Sequence, residues 1–285
     1  VENMPHVMEL LGKTRVVVED GKVVEVGEPQ IDWCPLFDKM RGIKQVTKDA
    51  VRENMEFRIK DFGMFTDDRI LEHEVFVGFG ASEVMMTGLR KDLLDTTVTV
   101  CEGAGTVITN NPILVQGMGA RMSGLVETEP IDGIINGITE RGGVILEPAA
   151  AIIDPVAGVE KAAQLGYRRI AVSAIDPDTS KELRDLEAKL ELDLTIIAAH
   201  TTGLSREDSL ELIDYVDIIT GCASKPIRDV IKPLAQVGTA VPLFAVSQKG
   251  KELLLERAKE VESPILINTM SLPALPEHKQ PRDMI

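Results

Sequence analysis

Aromatic side chains are scarce in this 285-residue chain, which holds seven Phe, two Tyr and one Trp. Its core must therefore be filled by Val, Ile, Leu, Ala and Met. Cysteine is scarcer still, with three residues. That excludes a disulfide framework, and the odd number suits a reducing compartment in which thiols stay free or bind a metal. No run approaches the ~18 apolar residues that span a bilayer. The segment Val1-Glu-Asn-Met-Pro-His6 lacks a charged start followed by an apolar stretch, so no secretory signal is expected. Positive charge is short as well: 31 Lys and Arg face 46 Asp and Glu, a net charge of −15. A phosphate-backbone partner is excluded on that balance, and the acidic coat reads as a solubility feature. The expectation is a cytoplasmic protein with no membrane and no nucleic-acid partner. A P-loop, a dinucleotide fingerprint, a His-Glu-x-x-His pair and a Gly-x-Ser-x-Gly elbow are all missing.

What is present centres on Asp95-Thr-Thr-Val-Thr-Val-Cys-Glu-Gly-Ala-Gly-Thr106. Residues 96–100 are β-branched throughout and predict a buried strand. The strand stops at Cys101 and Glu102, and Gly103 and Gly105 then allow a tight turn with close backbone approach to a ligand. Asn111-Pro112 opens a helix expected to run to about Ser123. A reactive side chain at the carboxyl end of a buried strand, beside a glycine loop and a helix start, is a common place for chemistry in α/β proteins.

The rest of the chain supplies a rhythm. Residues 5–12 suggest a short helix. Arg15–Val18 and Lys22–Val26, joined through Asp20-Gly21, read as a hairpin with a type I′ turn. Thr47 caps a helix from Lys48 to Asp61 with Val51, Met55 and Ile59 along one face. Val75-Phe-Val77 reads as a short strand, followed by a helix through about Arg90, and residues 131–140 read as another helix. From residue 144, strands at 144–146, 169–173, 194–199, 216–220, 241–246 and 264–267 alternate with helices at 156–165, 180–190, 205–215, 224–236 and 249–260. This pattern predicts an α/β fold: a mainly parallel sheet flanked by helices in Rossmann-like layers. Residues 1–74 form a smaller α+β cap, 75–272 the α/β domain, and 273–285 a Pro-rich arm that contacts the surface or a partner.

In a parallel sheet the residues after each strand converge on one edge. That edge would hold Cys101 and Glu102, Asp176, His200 with Thr201 and Thr202, Gly221 and Cys222 with Ser224 and Lys225, and Ser247 to Lys249. Any loop edge is polar, which accounts for any single one of these residues about as well as function does; their concentration favours a site. The catalytic candidates are Cys101, His200 and Glu102. His200 has the chemistry of a general base, and a packed loop histidine is the equally good alternative. A helix start favours a low thiol pKa at Cys222. Cys34, Cys101 and Cys222 together are a candidate metal site, for zinc or an iron–sulfur cluster, although no Cys-x-x-Cys pair supports it. Inert buried thiols, or a single nucleophilic cysteine with His200 as base, are the competing readings. Gly103, Gly105, Thr106, Ser224 and Lys249 are candidates for a small anionic ligand. The loops Gly78-x-Gly80-x-Ser82 and Gly117-x-Gly119 are weaker signals of the same kind, and tight packing explains them as well.

Four stretches carry a resemblance: Cys34-Pro-Leu-Phe-Asp-Lys-Met-Arg-Gly-Ile43, Glu56-Phe-Arg-Ile-Lys-Asp-Phe-Gly-Met64, Val100–Thr106 with Gly117-Met-Gly-Ala-Arg-Met-Ser-Gly124, and Gly221-Cys-Ala-Ser-Lys225. Together they resemble the methanogenesis marker protein 8 family of methanogenic archaea. The resemblance implies a cytoplasmic archaeal protein tied to methane metabolism, either an enzyme or a factor that matures one. It supplies no mechanism and no catalytic residues. A non-catalytic assembly protein acting on a complex such as methyl-coenzyme M reductase is the alternative it leaves open, and a homo-oligomer is compatible with both.

Overall fold

The computed structural model describes residues 5–73, 75 and 77–285, so the strand expected at 75–77 lies in part outside the described residues. Two sheets organise the chain. The smaller has the order β3-β2-β1-β6 and is antiparallel throughout, built from β1 (His6–Leu10), β2 (Thr14–Glu19), β3 (Lys22–Val26) and β6 (Gly124–Glu127). The β2–β3 hairpin turns through Asp20 and Gly21, both at positive φ, as a type I′ pair requires. Residues 6–10 are a strand and not the short helix expected from 5–12. They pair with β2 through a short turn and with β6 far along the chain, and neither pairing can be read from His-Val-Met-Glu-Leu alone. Helix α1 (Pro35–Arg41) and helix α2 (Lys48–Phe62) belong to this part, and α2 is capped by the Thr47 hydroxyl, which accepts from the Ala50 amide. Val51 and Met55 of α2 pack with Met8, Leu10, Val16 and Val18 of the sheet.

The larger sheet has the order β11-β12-β10-β9-β8-β4-β5-β7. It comprises β4 (Thr96–Cys101), β5 (Gly105–Thr109), β7 (Val144–Ile145), β8 (Arg169–Ala174), β9 (Asp193–Ala198), β10 (Ile218–Thr220), β11 (Ala235–Val237) and β12 (Leu243–Ala245). Only the centre is parallel: β4, β8, β9 and β10 run together. The pairs β4–β5, β5–β7, β10–β12 and β11–β12 are antiparallel. The fold is therefore α/β with a mixed large sheet, a correction to the mainly parallel one expected.

Helices cover both faces of this sheet. On one lie α6 (Pro155–Gln164), α7 (Pro177–Leu190), α8 (Arg206–Tyr215) and α9 (Lys225–Val230), whose Val159, Leu183, Leu212 and Ile227 meet Ile170, Val172, Leu194 and Ile196. On the other lie α3 (Ala81–Arg90), α4 (Pro112–Gly119) and α10 (Gln248–Lys259), which meet Ala171, Ile197 and Ile218. Alternate residues of β8 and β9 thus serve opposite layers, as strand geometry demands. Helix α5 (Asp132–Glu140) packs Ile134 and Ile138 against Cys101, Val107 and Leu114.

Three further expectations change. The helix from Ser224 ends at Val230 rather than about 236, because Pro233 disfavours helix at the residue before it and 235–237 becomes β11. Among the described residues, Pro264–Ile267 joins neither sheet, and Leu266 is 91% exposed. The stretch after Cys101 turns back into β5 as a β-hairpin, and the helix expected at Asn111-Pro112 follows β5 as α4, ending at Gly119 rather than about Ser123.

Candidate functional site

A cavity of about 950 Å³ lies between the two sheets, over the carboxyl ends of the parallel strands. Thr99 and Val100 of β4, Ser173 and Asp176 at the end of β8, His200 after β9, and Thr220 and Cys222 after β10 line one side. Cys34, Phe37, Met40 and Arg41 from α1 and its approach, Asn54 and Arg58 from α2, Arg121 to Gly124, and Glu9 line the other.

His200 is held by its backbone and its neighbours. Its φ of +56° places it in the left-handed region, where the chain turns sharply out of β9. Its Nε2 lies 2.5 Å from Oε2 of Glu9 on β1, and the Lys13 ammonium is 3.3 Å from the same oxygen. Burial alone would raise the Glu9 carboxyl, but the His200 hydrogen bond and charge, with Lys13, hold it below its ordinary value. This contact joins the large sheet to the small one.

Cys34 and Cys222 both line the cavity, half-buried, and both lie near Arg228. Arg228 is itself buried and donates to the carbonyls of Gly221 (3.0 Å), Cys222 (2.6 Å) and Ala240 (2.8 Å). Burial pushes the Cys34 thiol up, against the pull of the Phe37 and Leu36 amides and the Arg228 charge. Burial also pushes Cys222 up, and Thr220 and Arg228 offset only part of it. The low thiol pKa expected from the helix start at Cys222 is thus reversed by desolvation.

The C-terminal residues fasten this end of the cavity. The Ile285 amide donates to the Gln30 carbonyl (3.1 Å), Arg282 pairs with Asp32 (2.8 Å), and Lys279 reaches the Thr239 hydroxyl (2.8 Å).

Cys101 and Glu102 are elsewhere. Both are fully buried and neither lines the cavity. Glu102 forms an ion pair with Arg69 (2.5 Å), and the Cys101 thiol sits 3.6 Å from the other carboxylate oxygen. Burial first, then the Glu102 charge, lifts the Cys101 thiol well above its ordinary value. Among the described residues no group of three or more His, Cys, Asp and Glu is placed to hold a metal, so Cys34, Cys101 and Cys222 do not build the metal site expected of them.

The ligand-binding candidates also scatter. Gly103 and Gly105 have positive φ, and a Cβ on Gly105 would lie 2.3 Å from the Ala151 carbonyl, so this turn is filled by protein. Thr106 reaches the cavity wall, but its hydroxyl accepts the Asp154 amide. Ser224 is a buried cap of α9. Lys249 stands at the opposite edge, because β12 is antiparallel: its ammonium meets Asp193 and the Leu194 carbonyl at the start of β9.

Sequence reasoning missed Arg41, Arg58 and Arg121, which lie together on the cavity wall. Their signal was present in the motifs at 34–43, 56–64 and 117–124, each of which carries one of them.

Residues 6–259 match the model of a family described as an uncharacterized protein conserved in archaea (DUF2099). The chain belongs to this family. It is 47% identical over 283 residues to the uncharacterized protein MJ0054 of Methanocaldococcus jannaschii, covering 98% of this chain and 99% of that one. The DUF2099 match spans both sheets and every residue of the cavity wall named above. Among the described residues no helix is long and apolar enough to cross a membrane.

Proposed function

We propose that this DUF2099 protein is a cytoplasmic member of the methanogenesis marker protein 8 family. In this reading it acts in methane metabolism, as an enzyme or a maturation factor, through the cavity between its sheets. The observation that carries the site is the convergence of Cys34, Cys222, His200 and the three arginines on one cavity over the strand ends. The four sequence motifs support the family link. Ligand pockets in α/β proteins sit at this edge, and their usual volumes include this one.

The chemistry available is binding of an anionic small molecule in a cavity lined also by His200 and two thiols. A second reading is docking onto a methanogenesis complex such as methyl-coenzyme M reductase. It is favoured by Ile265, Leu266 and Ile267, which are 47%, 91% and 74% exposed in a segment without secondary structure.

One genetic experiment separates the two. In a methanogen deleted for its homologue, complementation is measured with His200→Gln/Cys222→Ser and with Ile265→Ser/Leu266→Ser/Ile267→Ser. The cavity reading expects growth on methanogenic substrates to fail with the first variant and to recover with the second. The opposite pattern assigns function to the exposed segment.

A further inference from the structure

The chain beyond α10 has prolines at 264, 273, 276 and 281, and it forms one short helical turn, Glu277–Lys279, outside both sheets. It is nevertheless fixed at one point. The side chain of Gln236, on the edge strand β11, donates to the Ala274 carbonyl (2.8 Å) and accepts from the Ala274 amide (2.8 Å). Leu275 packs against the core of the large sheet. Two hydrogen bonds to one residue and an apolar anchor beside them make this the fixed end.

From there the chain crosses to the segment that leads into α1. Lys279 lines the cavity, and its ammonium donates to the Thr239 hydroxyl (2.8 Å). Arg228 stands 3.5 Å from the Lys279 carbonyl and from Gln280 Oε1, while its shorter bonds hold Gly221, Cys222 and Ala240. Arg282 pairs with Asp32 (2.8 Å) and lies over the Trp33 ring, 5.3 Å from its centroid. The Ile285 amide donates to the Gln30 carbonyl (3.1 Å). Asp32 and Trp33 immediately precede Cys34. Residues 277–285 therefore bridge the Cys222 side of the cavity and the Cys34 side.

The far end of this bridge is lightly held. Of residues 277–285, Pro281 alone is buried. The Arg282 side chain is 56% exposed and that of Asp32 33%, so water and salt screen their attraction. A segment anchored at one end and latched at the other by an exposed ion pair opens at little cost, without disturbing either sheet.

We propose that residues 277–285 are a lid on the Cys34 and Cys222 end of the cavity, hinged at Ala274 and Leu275 and latched by Arg282 on Asp32 and Trp33. Release of the latch admits a small molecule to that end, and closure withdraws the bound molecule and the two thiols from water. The inference rests on the cavity reading above and adds how the site is entered.

The test is the rate of iodoacetamide labelling of Cys34 and Cys222 in the full-length protein at one fixed pH, read by mass spectrometry. Arg282→Ala should raise both rates about two- to fivefold, the share of a two-state equilibrium that one exposed ion pair controls. Lys279→Ala/Pro281→Ala/Arg282→Ala removes the remaining side-chain contacts of the lid and should raise them about tenfold or more. Raising sodium chloride from about 0.05 M to about 0.5 M should speed labelling in the wild type and add little in Arg282→Ala, since screening weakens the same latch. Trp33, the single tryptophan, should shift its emission to the red over the same salt range. Equal rates in the wild type and both variants overturn the lid. A full salt response in Arg282→Ala, or faster labelling with no change at Trp33, overturns the latch. If Cys101 becomes reactive in the triple variant, that variant has unfolded and Arg282→Ala decides alone. Neither readout involves growth, so the lid and the cavity reading fail separately.

Discussion

Glu102 turns away from the cavity and pairs with Arg69, at 2.5 Å, with both side chains almost wholly withdrawn from solvent. Arg69 also donates to the carbonyls of Ile70 and Met118 (3.2 Å for the latter), so the pair joins the β4–β5 turn to α4 and the chain after α2. A buried pair adds little net stability over apolar replacements, but removing one partner strands the other charge. Arg69→Met should cost about 3–5 kcal/mol in denaturant unfolding. Arg69→Met/Glu102→Leu should recover most of it, with an unchanged denaturant slope. A cost below about 1 kcal/mol for the single variant would mean that the pair is not a fixed part of the fold.

Gly124 and His200 give a second relationship that links the sheets. A Cβ on Gly124 would fall 2.2 Å from the His200 Nε2, so the imidazole occupies the space a side chain would need. Gly124→Ala therefore forces His200 off Glu9. The expected cost is about 1–3 kcal/mol of overpacking. In addition, the imidazole resonances should change in the way that Glu9→Gln alone changes them. Unaltered His200 resonances in Gly124→Ala would show that the ring has another resting place.

His6 sets an acid limit on stability. Its imidazole is buried against Phe65 and bonds the Thr128 hydroxyl through Nδ1 (2.8 Å), and burial lowers it from 6.5 to about 4. In the unfolded chain His6 takes up a proton near pH 6.5, whereas the folded protein resists until about pH 4. Above pH 6.5 both states are neutral here and nothing is gained or lost. Between those values the unfolded state binds more protons, so stability falls as pH falls, by up to about 3 kcal/mol, and this contribution levels off below. His6→Asn keeps a polar group near Thr128 and should flatten that part of the curve. An unchanged slope would assign it to other groups.

The sequence was most readable where structure is local. Thr47, Asn111, Ser205 and Ser224 each cap a helix where the sequence suggests its start. It was least readable where long-range pairing decides. Thr106-Val-Ile-Thr109 is as β-branched as β4 and forms β5, yet the glycines before it suggested a ligand loop. The direction of β12 has no local signature, and with it Lys249 moved to the other edge of the sheet. The cavity wall required two distant segments to fold over the strand ends. His200 and Cys222 could be found by counting strand ends, while Arg41 and Arg58 could not, since they belong to helices beside the small sheet.

The same logic orders the three thiols by reactivity. Cys34 and Cys222 line the cavity but are raised by burial, and Cys101 is enclosed between β5, α4 and α5 and raised further. A thiolate is the nucleophile, so a raised thiol reacts slowly at neutral pH even where reagent can reach it. With iodoacetamide at pH 7, Cys34 and Cys222 should be modified more slowly than a free cysteine, and the rate should still be climbing above pH 9, past the ordinary thiol value. Cys101 should stay unmodified until the chain unfolds, so its labelling rate should track global unfolding with denaturant. Mass spectrometry of the three cysteine-bearing peptides reads all of this in one experiment. Rapid labelling of Cys222 at pH 7 would restore the helix start as the dominant influence on that thiol. Labelling of native Cys101 would mean that the β4–β5 hairpin opens far more readily than its buried ion pair allows.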